Sequence, residues 1–308
     1  MLKSNENIIY IFHELYEIYS AIGDKFRAKS YKKVVDTLSK YPNKITIKTL
    51  DDIDELKGFG QKTITKIREI LETGHLKLLD QLMKKPDIRA YLELQKVLGI
   101  GPQFSRKLIK KYGIRSVEQL KKAKNVSLTK TQRIGLKYFD EFNTPIQRSY
   151  MLKYKNNLQK QMRDAIDPAA ELILAGSYLT EKKFANDIDI IAITKKKSAD
   201  IAKYLLESGN AREIINSGAH SIMFVSKDKK HVDLKIVADR GLIPFYLIYF
   251  GSGATFAREI RLHAKKMGYK LNQYGLFDKS GNLVMGSAKS DKEIFDKLGL
   301  KYVKAANR

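Results

Sequence analysis

Residues 186–194 read NDIDIIAIT, and how this stretch is read decides the fold. Asp187 and Asp189 stand one residue apart at the head of an apolar, β-branched run. On a strand alternate side chains share a face, so both carboxylates point one way, while Ile188, Ile190 and Ala192 point the other way into a core. Two neighbouring carboxylates repel, and one should keep its proton to higher pH unless a cation intervenes. Taken alone, the pair reads as a strand end, with Asp187 as a cap and Asp189 paired to a lysine. The flanking sequence shifts that reading. Upstream, ELIL (171–174) runs into Gly176-Ser177, a small turn able to present amides and a hydroxyl to phosphate. Downstream, HVDLKIV (231–237) carries Asp233 on the face opposite Val232, Leu234 and Ile236. Should this segment pair beside 187–193, the carboxylates converge. Hard oxygen donors at this spacing suit magnesium or manganese, which bind through a few carboxylates and substrate phosphates.

Composition points to a polyanionic partner. The 308 residues include 58 Lys and Arg against 34 Asp and Glu, a net charge of +24. Such an excess favours nucleic acid through phosphate neutralisation and counterion release. Cysteine is absent, which excludes disulfides and thiolate zinc sites. No apolar run approaches the roughly 20 residues of a membrane span, and Glu6, His13, Glu14 and Glu17 interrupt any signal-like N-terminus. A membrane-free intracellular protein is expected, with nucleus, cytoplasm and viral factory all open.

The chain changes character near Pro145. Residues 1–140 show helical periodicity broken by Gly and Pro, and strand-like runs follow at Glu171–Ala175, Ile188–Thr194, Ile222–Ser226 and His231–Val237. Helices first and mixed elements later predict an α+β protein of several domains. Within the helical part, LKGFGQKTITKI (56–67) and VLGIGPQFSRKL (97–108) share an apolar-Gly-apolar-Gly turn followed by an amphipathic helix. The turns at Gly58, Gly60 and at Gly99, Gly101 permit close backbone approach. Their amides and the following helix N-terminus can face a phosphate. Basic residues, among them Lys62, Lys66 and Arg106, follow each turn. A repeated hairpin of this kind in so basic a chain fits sequence-independent DNA backbone binding. Lys62 and Lys66 share one helix face. A lysine beside another cation loses some affinity for its proton and becomes a usable amine, able to form a Schiff base with an aldehyde.

Gly-Ser, then D-x-D, then a lone aspartate on a later strand forms a nucleotidyltransferase signature. With two helix-hairpin-helix motifs ahead of it, the chain resembles the family X DNA polymerases of the beta type. The resemblance extends through KYP (40–42), QRIGLKYF (132–139), YF (249–250), REIRLHA (258–264) and EIFDKLGLKYV (293–303). It implies a lyase-like helical domain at 1–82 and a second hairpin domain at 87–141. A catalytic palm at 145–240 and a nucleotide-selecting subdomain at 242–308 would follow. It implies Asp187, Asp189 and Asp233 as ligands of two Mg2+ ions, with Mn2+ an alternative. Gly176, Ser177, Asn186, Tyr249, Phe250, Gly251, Arg258 and Arg261 would contact the incoming nucleotide and nascent pair. Lys66 would be the amine that removes a 5′-deoxyribose phosphate, with Lys62 and Tyr31 on that phosphate. Gapped or nicked duplex DNA and dNTP are the implied substrates, in short-gap repair by a monomer. End-joining or weakly templated polymerases, transfer-RNA nucleotidyltransferases and non-catalytic helix-hairpin-helix proteins are the rivals. The sequence departs from the family pattern at several points. Leu179 and Thr180 replace arginines after Gly-Ser, Asn186 replaces a glycine, Pro145 aligns with another arginine, and Ala257 with an asparagine. Fewer cations on the triphosphate imply weaker nucleotide binding, unless Lys182 or Lys183 substitutes, and fewer contacts to the nascent pair imply lower fidelity or relaxed template demands.

Overall fold

The computed structural model describes residues 5–56 and 59–308. Two compact units divide between Phe139 and Asp140.

The first unit is helical. Its opening helix, Glu6–Ile22, forms because Ile8, Ile11, Phe12, Leu15, Ile18 and Tyr19 recur on one face, and each is buried. It stops at Gly23, whose φ of 80° ends the helix in a left-handed cap, and Asp24 then caps the helix Lys25–Leu38 by accepting from the Arg27 amide. Most of the opening helix packs against Val34, Leu38, Ile53, Ile67 and Leu76 in one core. Its last turn contributes Ala21 to a second core, with Leu94, Val97, Leu108 and Leu120. A helix of 17 residues spans about 25 Å, long enough to serve both cores. The opening helix thus links both cores within the first unit.

The second unit is α+β, as the sequence indicates. Its strands are β1 (Ile146–Gln147), β2 (Glu171–Leu174), β3 (Phe184–Ala185), β4 (Asp187–Ile193), β5 (Ala211–Gly218), β6 (Ser221–Ser226), β7 (His231–Val237), β8 (Lys270–Asn272), β9 (Gly275–Phe277) and β10 (Leu283–Met285). The main sheet has the order β2-β4-β7-β6-β5. β4 and β7 run parallel and the other neighbouring pairs antiparallel. One face packs on the helices Arg148–Ala165 and Ser198–Glu207 through Ile188, Ile190, Ala192, Val232, Leu234, Met162 and Leu205. The other face is only partly covered: Ile191 and Val237 pack with Ala175 and with Tyr246 of the helix Ile243–Phe250. A third core forms where the helices Ile243–Phe250, Ala254–Lys266 and Asp291–Lys297 meet β8 and β9.

β5 is the longest strand that periodicity does not reveal. Its sequence AREIINSG is an edge, half of it exposed, and its pairing with β6 is irregular after Ala211 and again after Ile214. Alternation survives only where one face is continuously buried, so an irregular edge strand leaves little trace. No helix among the described residues is long and apolar enough to cross a membrane.

The motif QRIGLKYF gains a packing explanation. A Cβ on Gly135 would lie 2.6 Å from the Leu98 carbonyl oxygen and 2.8 Å from Leu98 Cβ and N. Gln132 also braces the second hairpin, donating from Nε2 to the Gly99 carbonyl at 2.9 Å. Gly135→Ala is expected to cost about 1–3 kcal/mol through overpacking, seen as a lower urea midpoint for the helical unit. An unchanged midpoint would contradict this packing.

Candidate active site

The parallel register of β4 and β7 aligns Asp187 with His231 and Asp189 with Asp233. Side chains at paired positions share a face, so Asp187, Asp189 and Asp233 come together at one end of two adjacent strands. They lie on the partly covered face of the sheet, and the same face is closed further along by Ile191 and Tyr246. The sequence pattern foresaw this convergence, conditional on strand pairing that only the fold supplies.

β2 delivers the turn. Its continuation binds β4, with the Ala175 amide donating to the Asp189 carbonyl at 2.9 Å. The next residue, Gly176, has φ of 53° and begins the short helical segment Gly176–Leu179. A Cβ there would lie 1.8 Å from Asp189 Oδ2, so only glycine lets the turn approach the carboxylate. Ser177 Oγ is buried and has no hydrogen-bond partner. An unpaired buried hydroxyl costs about 1–3 kcal/mol, a cost that a ligand oxygen would remove.

Electrostatics show what the site lacks. Burial pushes the Asp189 carboxyl up, and the nearby carboxylates of Asp187 and Asp233 push it further, to about 7, against a lowering pull from Lys235. Lys235 Nζ lies 2.8 Å from both oxygens of Asp233 and 4.8 Å from the Phe250 ring centroid. His231 Nδ1 stands 3.8 Å from Asp187 Oδ2, and burial holds this imidazole below its usual range. Among the described residues no three His, Asp or Glu side chains stand ready-gathered as a coordination shell. Lys235 supplies the cation that pairs with Asp233. The donor set nevertheless suits a hard divalent ion: carboxylate oxygens that repel one another, and an orphaned hydroxyl on the adjoining turn.

The second wall of the site comes from the helix Ile243–Phe250. Tyr249 and Phe250 meet edge to face at 4.8 Å. The Arg261 guanidinium lies 4.8 Å from the Tyr249 ring centroid, and its Nε donates to the Ala257 carbonyl. Arg258 is exposed on the same helix as Arg261. A Cβ on Gly251 would meet Leu179 Cδ1 and the Leu247 carbonyl oxygen at 2.6 Å. Leu179 thus reaches Gly251 and packs against the core of Ala175, Ile191, Val237 and Tyr246, and an arginine in its place would have to be drawn out of that cluster. Asn186 is exposed at the head of β4.

The helical unit carries the other expected residues. The helix Gln61–Thr73 begins at Gly60 and the helix Pro102–Tyr112 at Gly101, with open space at both glycines. Gly58 lies outside the described residues. Gly99 has φ of 82°. Lys66 Nζ donates to the Lys62 carbonyl at 2.9 Å, and its pKa is lowered by burial first and by the Lys62 charge second. Tyr31 stacks on Tyr19 at 5.4 Å. Arg106 has a structural partner: it donates to the Ala21 carbonyl and lies across Gly23, at the C-terminal end of the opening helix. Lys107, Lys110 and Lys111 on the same helix are exposed.

Comparison with known proteins agrees with this layout. Residues 3–76 match a helix-hairpin-helix domain family, 92–143 the fingers domain of DNA polymerase lambda, and 246–308 the DNA polymerase beta thumb. DNA polymerase lambda of Arabidopsis thaliana is 30% identical over 99% of the chain. In this order of matched segments the chain is similar to the family X DNA polymerases. DNA polymerase lambda of Rattus norvegicus is 25% identical over 96% of the chain, and the type-X family protein pol4 of Schizosaccharomyces pombe is 22% identical over 91%. The chain spans 62%, 54% and 60% of the length of these three relatives. Three residues at the site, Lys235, His231 and Arg148, lie outside the sequence motifs. Lys235 and His231 flank Asp233 at two-residue spacing, so strand alternation already put them on its face. Arg148, described below, left no such signal.

Because the Asp189 pKa is raised by folding, the folded state binds this proton more tightly than the unfolded chain. Stability therefore falls as pH rises from the ordinary carboxylate range through about 7. Asp189→Asn should raise Tm by a few degrees in EDTA above pH ~8 and leave it unchanged near pH ~4. Equal Tm values at the higher pH would show that the carboxylates do not repel.

Proposed function

We propose that the chain is a template-directed DNA polymerase that fills short gaps, adding a nucleotide from dNTP to a primer 3′-hydroxyl. The observation that carries this reading is the Asp189–Asp233 register with the Gly176–Ser177 turn bonded to the Asp189 backbone. Asp187, Asp189 and Asp233 would hold two divalent cations, Mg2+ or Mn2+. When bound, these ions acidify the primer hydroxyl and neutralise charge on the leaving pyrophosphate.

The chain's own groups do the rest. The turn amides and Ser177 Oγ bind the outer phosphates, and Gly176 keeps the space between turn and carboxylate clear. Asn186 lies beside them at the head of β4. Tyr249, Phe250 and Gly251 form the surface beside the incoming sugar. Arg258 and Arg261 face the nascent pair and its minor groove. Lys235 now pairs with the Asp233 carboxylate that would hold a metal, and the Phe250 ring offers its ammonium a second partner. The hairpins at Gly60 and at Gly99–Gly101, with the exposed lysines that follow, grip phosphate backbone without reading sequence. In the resulting displacement the primer oxygen bonds to the α-phosphorus, the bond to the bridging oxygen breaks, and pyrophosphate leaves.

A lyase step fits the first hairpin. Burial and Lys62 lower the affinity of Lys66 for its proton, so more of it is present as free amine. That amine adds to the aldehyde of an abasic sugar and loses water to give an imine, with Lys62 and Tyr31 on the 5′-phosphate.

Asp189→Ala should abolish single-nucleotide extension on gapped DNA, in magnesium or manganese, while leaving DNA affinity within about twofold. Near-normal extension would remove these carboxylates from the reaction. Borohydride should trap the wild-type protein on abasic-site DNA, and Lys66→Ala should lose the adduct. An equal yield from that variant would assign the amine elsewhere.

A further inference from the structure

The turn Gly176–Leu179 lacks the arginines its family carries, yet a cation reaches it from another element. Arg148 is the first residue of the helix Arg148–Ala165. Its Nη1 donates to the Tyr178 carbonyl at 2.6 Å, and its guanidinium carbon lies 4.0 Å from the Tyr178 ring centroid. Tyr178 sits within the turn, its amide donating to the Ala175 carbonyl, one residue after the unpartnered Ser177 hydroxyl. The planar guanidinium stacks on the ring and bonds the carbonyl together, which an ammonium cannot do. Lys182 and Lys183, the other nearby cations in sequence, are exposed, and Lys183 lies over the Phe184 ring instead. Leu179 cannot take the part, since it is apolar and packs against the core of Ala175, Ile191, Val237 and Tyr246.

We propose that Arg148 is the positioning cation of the triphosphate site: through Tyr178 it holds the Gly176–Leu179 turn so that Ser177 faces the outer phosphates. Its charge also stands at that turn, in place of the missing arginines. This role rests on reading the carboxylate site as one for nucleotidyl transfer from a nucleoside triphosphate. It explains how the turn can lose its own arginines and keep its shape. The clamp is made between the start of a helix and the turn that follows β2, so it holds before any ligand arrives.

The test compares wild type, Arg148→Ala and Arg148→Lys in gap filling, with KM for dNTP, kcat, gapped-DNA affinity and Tm measured in parallel. Arg148→Ala should raise KM roughly tenfold while kcat and DNA affinity change less than about twofold. Arg148→Lys should recover part of that loss. An unchanged KM, whatever happens to Tm, would overturn the role, and full recovery by lysine would overturn the planar clamp. Calorimetric binding of dTTP with magnesium, without primer, separates this role from the polymerase reading. A wild type that extends no primer but binds dTTP more tightly than Arg148→Ala would sink the polymerase reading and leave the role of Arg148 standing. Equal dTTP affinities of the two proteins, or no binding by either, would refute it.

Discussion

Everything at the site depends on the parallel pairing of β4 with β7. That register puts Asp189 opposite Asp233 and Asp187 opposite His231. A slip of one residue would turn Asp233 into the core and bring Val232 or Leu234 to the polar face. The slip is prevented from the other side of the sheet, where Ile188, Ile190, Val232, Leu234 and Ile236 are buried together. Desolvating those five side chains favours the register that also crowds the carboxylates. The site is thus strained electrostatically by the same packing that makes the domain stable.

The crowding is managed by cations and by shape. Lys235 neutralises Asp233 at 2.8 Å, and Asp189 answers by keeping its proton to about pH 7. Gly176 brings a turn against Asp189 where any side chain would collide. The outcome is a cluster with capacity for added positive charge and a hydroxyl, Ser177 Oγ, with no protein partner. The departures from the family pattern take on a different meaning here. Leu179 is part of the packing that joins the turn to the helix Ile243–Phe250. The cation that meets the turn comes from Arg148. Loss of arginines in the sequence is therefore not a loss of all positive charge in the fold.

The helical unit obeys the same economy of one element serving two ends. The opening helix contributes to two cores, and Arg106 closes its C-terminal end. A basic residue after a glycine hairpin suggested phosphate contact, yet this one is engaged by a backbone carbonyl. The residues beside it, Lys107, Lys110 and Lys111, remain exposed.

The sequence by itself determined the α+β order, the glycine turn at Gly99 and Gly101, and the alternation that puts Asp187 and Asp189 on one face of a strand. Those features rest on local rules: alternation along a strand, the torsional freedom of glycine, and spacing on a helix face. It also determined the large positive charge that suits nucleic acid. Tertiary structure alone decided that β7 lies beside β4, that β5 extends the sheet as an irregular edge, and that Arg148 reaches Tyr178 across 30 residues. It alone decided that Arg106 caps a helix 85 residues away and that Leu179 is an apolar anchor. Such contacts join distant parts of the chain, and their energies come from burial and charge pairing that no local pattern encodes.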